Sequence, residues 1–426
     1  MSFQAARAAD DVVITGYGAI TPLGHDVESF SDSLRKGMSA VDFLEPHQGV
    51  DGTKWMAAVI RNFDPKQHVQ PRKTIKVMCR EIQLAFGAAM QACRVSGVSA
   101  GMIEPDRLGT VFSGEIIFSE IGDAESIIRL CSENGIMKHD RWAAESMENM
   151  YPLWMLKSLP NMAACHVGIA LDARGPNNTI TTEGTSSLNA LLEAINVIRR
   201  DKADVMIVGS TASRSCFTRL LQRHEEDFSK SYGDVAKACK PFDASRDGTV
   251  PGESASAVVL ERRSHAEARG AKILGTILSW ANTFAGSPDR WGGIQQSTES
   301  ALSSLLTRSG LVPSGIDHVN ASASGIVSMD AGESRGIANV LSGVPVVSYK
   351  GAIGDSISGA GLIEWIASMS GMQSGIIAPT TNHCKTASDC PVDVISQSGK
   401  QRSTNCFVKL SSNSQGHTIG VLTRVD

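Results

Sequence analysis

A chain of 426 residues, 42% hydrophobic and 20% charged, has the length for a sizeable core and the composition of an ordinary globular protein. A net charge of -4 and a pI near 6.2 give no reason to expect a nucleic-acid footprint, and no run approaches the roughly 18 apolar residues of a membrane span. Nine cysteines at irregular spacing, after an N-terminus without an apolar centre, predict free thiols in a cytoplasmic protein.

In chain order, "IQLAFGAAMQACRVSGV" predicts an apolar helix, and "MIEPDRLGTVFSGE" an acid-marked turn and a strand. Next, "WAAESMENMYPLWMLKSLP" brings Trp142, Met147, Met150, Trp154 and Met155 together. Such residues suit an interface as well as a core, and both readings stay open. In "NNTITTEGTSSLNALLEAINVIRRDKADVMIVGSTAS", Thr179–Thr182 predicts a buried strand. A small-residue corner follows, then a helix with Leu188, Leu191, Leu192, Ile195 and Ile198 on one face, then a second strand. A strand breaking into a helix at that corner points one side chain at the helix N-terminus, where a thiolate or oxyanion is favoured. The corner holds Glu183 and Gly184 instead of a nucleophile.

The second half repeats this order. "ESALSSLLTRSGLVPSGIDHVNASASG" gives helix, acid-marked turn and strand. "VPVVSYKGAIGDSISGAGLIEWIASMSGMQSGIIAPTTN" gives strand, Gly-rich corner, helix, turn and strand. Two such series predict an α/β protein of two similar halves, 11–262 and 263–426, with the longer insertion in the first. Near the end, His383, Cys384 and Cys390 lack a fourth ligand and a Cys-x-x-Cys pair, so no metal is expected there.

Five ordered stretches resemble the β-ketoacyl synthases of the thiolase fold. These are "VVITGYGAITPLGHDVESFSDSLRKGMSAV", "LPNMAACHVGIALDARGPNNTITT", "KPFDASRDGTVPGESASAVVLERRSHAEARGAKILGTI", "VNASASGIVSMDAGE" and "VSYKGAIGDSISGAGLIE". The resemblance implies a five-layered αβαβα sandwich that dimerises. It also implies a cysteine at the first corner and two histidines that decarboxylate a malonyl thioester on an acyl carrier protein. In this chain those three positions are Gly184, Ser322 and Asp355. Lys350, Asp330 and Glu333 of the surrounding motifs remain, and the family's C-terminal Gly-Phe-Gly-Gly loop does not.

Glycine carries no acyl group, serine supplies no imidazolium, and aspartate has the wrong charge for a developing enolate. Glu183 is read as a carboxylate settled at a helix N-terminus, an effect of about 0.3–1 kcal/mol. His166 follows Cys165 and is read as packing, not as the base of a Ser322–Asp355 pair. The corner also resembles that of chain-length factors, inactive partners of type II polyketide ketosynthases, through Glu183, Leu188 and Ala190. Their glutamine is replaced by Gly184. By that resemblance Phe112, Ile116, Ile117 and Phe118 line the acyl tunnel or the heterodimer interface, with a plain core strand as the alternative. The expectation is a non-catalytic, cofactor-free subunit that heterodimerises with an active ketosynthase serving a carrier-bound chain. A thiolase-fold enzyme repurposed for thioester decarboxylation or hydrolysis, or a homodimeric binding protein, are the alternatives. Neither nucleic acid nor membrane is expected as a partner.

Overall fold

The computed structural model describes residues 11–48, 54–115, 121–213, 225–397, 400–401 and 404–426. Ten strands form one hydrogen-bonded sheet. In chain order they are β1 Val12–Ile20, β2 Leu108–Ser113, β3 Asn177–Ile180, β4 Val205–Ser213, β5 Glu253–Arg262, β6 Gly275–Phe284, β7 His318–Asn320, β8 Val346–Val347, β9 Cys406–Ser412 and β10 His417–Val425. Their spatial order is β8-β7-β9-β10-β6-β1-β5-β4-β2-β3. Outward from the centre, the first half reads 1-5-4-2-3 and the second 6-10-9-7-8, the same order five numbers on. The pairing senses repeat too. β1–β5 and β5–β4 are antiparallel, and β4–β2 and β2–β3 parallel. β6–β10 and β10–β9 are antiparallel, and β9–β7 and β7–β8 parallel. A short antiparallel contact, Val13 with Thr276 and Ile14 with Gly275, joins the halves.

Helices α1 Val27–Arg35, α2 Arg80–Ser96, α3 Met162–Leu171, α4 Ser186–Arg199, α5 Ile294–Ser309, α6 Val327–Val340 and α7 Ala360–Ser374 set the layers. Successive strand residues face opposite sides of a sheet. On β4, Val205 and Ile207 turn to α2 and α3, while Met206 and Val208 turn to α4. On β9, Val408 and Leu410 turn to α5 and α6, while Phe407 turns inward to α7. Leu188, Leu191, Ile195 and Ile198 of α4 share one core with Leu362, Ile363, Trp365 and Ile366 of α7. Two outer helix layers, two half-sheets and one shared inner layer make the thiolase-like sandwich. Close approach of α2 to β1 depends on Gly16 and Gly18, where a Cβ would stand 2.3 Å and 2.2 Å from the Ala92 and Ala88 carbonyl oxygens.

Two sequence readings change in the structure. The strand at the first corner runs Asn177–Ile180 and not Thr179–Thr182, and Asn177 and Asn178 are exposed. Among the described residues it is the last strand of the sheet, paired with β2 alone, so it is less enclosed than its β-branched residues imply. Phe112 is completely buried in the outer core with Ile82, Phe86 and Val167. Its ring lies over Gly209, where a Cβ would sit 2.0 Å from it, so it takes the core alternative and offers no surface to a partner. Ile116, Ile117 and Phe118 lie outside the described residues.

The "FDASRDG" loop is tied down by Asp243. Its Oδ2 accepts from the Cys384 and Lys385 amides at 2.7 and 2.9 Å, and its Oδ1 from the Ser245 amide and hydroxyl at 2.8 and 2.7 Å. Burial alone would raise this carboxyl, but the donors outweigh it and pull it down to about 2. A depressed carboxylate stabilises the fold above its unfolded pKa, and that contribution is lost as pH falls through the folded value. Asp243→Asn is expected to lower stability by about 2 kcal/mol at pH 7, the gap from the parent closing as pH falls from about 4 to 2. Urea midpoints at several pH values check this; equal acid sensitivity of the variant and the parent would refute it.

Candidate functional site

The first corner is a tight turn, Glu183–Thr185, leading into α4. Ser186 Oγ accepts from the Thr182 amide and donates to the Glu183 carbonyl, both at 2.7 Å, which fixes the bend. Glu183 adopts a left-handed φ of 53°, strained for a residue with a side chain. Its carboxylate is exposed, with Ser414 Oγ at 3.5 Å.

Gly184 faces the end of β9. Ser411 Oγ donates to its carbonyl at 2.8 Å, and a Cβ at residue 184 would meet the Ser412 carbonyl oxygen at 2.4 Å. No real Cβ tolerates such a contact. The space a side chain at residue 184 would take is therefore filled by backbone. The Ser412 amide in turn donates to Ser322 Oγ at 3.1 Å. Gly184 and Ser322 thus flank the same residue, and the turn Ile357–Gly359 beyond Asp355 packs on the Glu183–Thr185 turn. The fold brings all three degenerate positions to one region. Ser322 and Asp355 are nearly buried, at 4% and 8% exposure.

Behind them lies a buried set of charges. Lys350 Nζ donates to the Ser322 carbonyl at 2.8 Å and pairs with Glu364 Oε1 at 2.9 Å. Lys409 Nζ pairs with Glu364 Oε2 and donates to Asn320 Oδ1 and the Ala321 carbonyl, both at 3.0 Å. Burial alone would lower Lys350, but the Glu364 and Asp355 carboxylates outweigh it and hold it above the usual lysine range. Burial wins at Lys409 and holds it below that range. Glu333 Oε1 accepts from the Ser322 amide at 2.7 Å, and burial pushes this carboxyl up. Asp330 accepts from the Phe242, Ser324 and Gly325 amides, yet burial raises it to about 6. Asp355 Oδ1 accepts from the Ile357 amide at 2.9 Å. Lys350, Asp330 and Glu333 therefore hold the backbone, with Glu364 paired to Lys350, whereas a substrate would need exposed groups.

Two hydrogen-bonded series mimic catalytic relays. In one, Asp317 Oδ1 lies 3.1 Å from His318 Nδ1, and His318 Nε2 lies 2.9 Å from Ser368 Oγ. His318 and Ser368 have no exposed surface, and His318 stacks on Phe407 with centroids 5.4 Å apart, so no substrate reaches them. In the other, His417 Nδ1 lies 3.1 Å from Thr185 Oγ1, and His417 Nε2 lies 2.7 Å from Asn282 Oδ1. Asn282 Nδ2 continues to Asn189 Oδ1 at 3.1 Å, and Asn189 Nδ2 to Thr182 Oγ1 at 3.0 Å. The ring of bonds closes on the corner, and Thr185 is completely buried. His417 was not singled out by sequence; its placement beside "SSNSQG" is the only trace. His166 lies on α3 in the outer layer, among packed side chains.

A cavity of about 670 Å³ opens near α6, lined in part by Asp247, Asp289, Arg290, Trp291, Ile326 and Arg335. In all, five carboxylates and two guanidinium groups line it.

This geometry can be set beside known proteins. Residues 9–266 match the β-ketoacyl synthase N-terminal domain, and residues 275–383 the β-ketoacyl synthase C-terminal domain. The chain belongs to the β-ketoacyl synthase family. It is 27% identical over 394 residues to the 3-oxoacyl-[acyl-carrier-protein] synthase 2 of Staphylococcus aureus (strain COL), covering 90% of this chain and 91% of that protein. It is 29% identical over 426 residues to the putative polyketide β-ketoacyl synthase 1 of Streptomyces cyaneus, covering 96% and 97%. The ishigamide ketosynthase/chain length factor superposes with a TM-score of 0.79 at 24% identity, over 98% of this chain and 100% of that one. Among the described residues, no helix of this ketosynthase-family chain is long and apolar enough to cross a membrane.

Proposed function

We propose that this chain is a non-catalytic, chain-length-factor-like subunit. It pairs with an active β-ketoacyl synthase in the cytoplasm and shapes the tunnel in which a polyketide chain grows on an acyl carrier protein. One observation carries the reading: the seat of the acyl-accepting side chain is glycine, and the Ser412 carbonyl occupies the space beside it. Gly184, Ser322 and Asp355 supply neither a thiol nor an imidazole at the three motif positions, in a family whose chemistry needs both there.

Two surfaces support a partner. β3 is an open sheet edge with exposed Asn177 and Asn178. The insertion before it, with helices Ile121–Leu130, Trp142–Asn149 and Trp154–Ser158, exposes Ile128, Leu130, Ile136, Met147, Leu153 and Met155. Met147 is 89% exposed, an unfavourable state for an apolar side chain that a partner relieves. The polyketide context of the reading follows the name of the Streptomyces relative and the chain length factor of the ishigamide protein.

The experiment compares the chain alone with the chain coexpressed with an active type II ketosynthase. Alone, it is expected to take up no radiolabelled acyl group and to condense no malonyl carrier protein. Coexpressed, it is expected to form a 1:1 complex by native mass spectrometry whose condensation needs only the partner's cysteine. Condensation by the lone chain, or a complex indifferent to that cysteine, overturns the proposal.

A further inference from the structure

The fifteen methionines of the chain are unevenly placed. Met78, Met206, Met329, Met369 and Met372 are buried, each with 3% of its surface exposed or less. Met147 and Met155 are 89% and 52% exposed, and both lie in the insertion before β3. Water, and any small solute in it, reaches these two thioethers freely.

They sit on ordered backbone. Helix Trp142–Asn149 packs on helix Ile121–Leu130, and the Met150 amide closes its end by donating to the Ser146 carbonyl at 3.0 Å. Along the same helix Asn149 Nδ2 donates to the Glu145 carboxylate at 3.1 Å. Helix Trp154–Ser158 begins where the Trp154 amide donates to the Tyr151 carbonyl at 2.9 Å. The exposure of Met147 is therefore a property of the folded insertion. Ile128, Leu130 and Leu153 are exposed on that insertion too, so both sulfurs belong to an apolar surface.

We infer that Met147, and after it Met155, is a reversible oxidation site that governs pairing with the ketosynthase. This rests on the heterodimer reading for the consequence, and on exposure for the chemistry. The oxidant is a two-electron oxygen donor such as a peroxide. The thioether sulfur takes one peroxide oxygen and the O–O bond breaks. The leaving hydroxide removes the proton from the new S–OH group and departs as water. Sulfur is oxidised by two electrons to the sulfoxide, and sulfoxide reductases reverse the step. A sulfoxide is polar, so covering it with an apolar partner surface strips its water and offers no donor in return. The buried methionines are shielded while the fold holds. Met38 and Met102 are exposed as well but lie outside the insertion, and they serve as internal controls.

The test treats the purified chain with hydrogen peroxide, maps sulfoxides by peptide mass spectrometry, and measures pairing with an active type II ketosynthase. Met147 is expected to oxidise at least about tenfold faster than Met206 or Met369, and pairing to weaken about tenfold or more. Methionine sulfoxide reductases of both epimer specificities, supplied with dithiothreitol, should restore pairing. Dithiothreitol alone, which reverses oxidation of thiols such as the exposed Cys384, should not. Each variant is compared with its own untreated affinity. M147L/M155L, and to a lesser degree M147L alone, should resist peroxide, whereas M38L/M102L should not. Pairing that ignores a fully oxidised Met147 overturns the inference, as does an equal loss in M147L/M155L. An untreated chain that forms no complex overturns the heterodimer reading and with it the effect on pairing, while the peptide map still decides whether Met147 is the reactive sulfur.

Discussion

Glu364→Gln is expected to destabilise the protein by about 3–5 kcal/mol, the largest effect of any single substitution considered. The carboxylate is completely buried and serves two ammonium groups at once, Lys350 at 2.9 Å and Lys409 on its other oxygen. Neutralising it deprives two buried cations of the carboxylate that they share. Lys409 sheds its proton more easily than Lys350, because burial already holds it low while Lys350 keeps the Asp355 carboxylate. The lost stability should therefore be partly regained above neutral pH in the variant. Combining Glu364→Gln with Lys409→Met should recover part of the loss, with a coupling of about 0.5–3 kcal/mol between the sites. Urea unfolding of the four proteins of this cycle measures it. Strict additivity would show that the two groups do not interact, contrary to the structure.

Gly184→Cys is expected to create no acyl-enzyme. A cysteine there restores the family's residue type, but its Cβ would arrive 2.4 Å from the Ser412 carbonyl oxygen. That carbonyl cannot retreat easily. Ser412 is paired with Thr418 across β9 and β10, and its amide is held by Ser322 Oγ. The substitution overpacks the corner, at a cost of about 1–3 kcal/mol. Intact-mass measurement after incubation with an acyl thioester should show no adduct at residue 184, alongside a lowered urea midpoint. An acyl adduct on Cys introduced at that position would show that the β9 backbone yields, and would reopen a catalytic role for the chain.

The duplicated halves were legible because each buried strand carries a near-continuous apolar run and each is followed by a glycine-rich corner and a periodic helix. In the structure that order stands at β3, the turn Glu183–Thr185 and α4, and again at β8, the corner 354–359 and α7. Gly184, Ser322 and Asp355 were singled out from motif order, and the fold places them in one region. The edge strand was misjudged because β-branched residues signal extension but not the number of neighbouring strands. Lys409 escaped notice because a lysine inside "FVKLSS" reads as a solvent-facing strand residue. Its burial follows only from the carboxylate of Glu364, 45 residues away in sequence. His417 escaped for the same reason: its partners Thr185 and Asn282 lie in other elements. The closure of the Gly184 seat could not be read at all, since it is made by a carbonyl and every residue has one.

The inner layer to which α4 and α7 both contribute has a consequence for how this molecule comes apart. Neither repeat can cover the buried side of its own inner helix without the other, because Leu188, Leu191 and Ile195 from one and Leu362, Trp365 and Ile366 from the other fill a single interior. A cut in the chain between the repeats would yield two fragments each exposing a wide oily face, not two independent modules. The two repeats are therefore expected to melt together, as one cooperative unit.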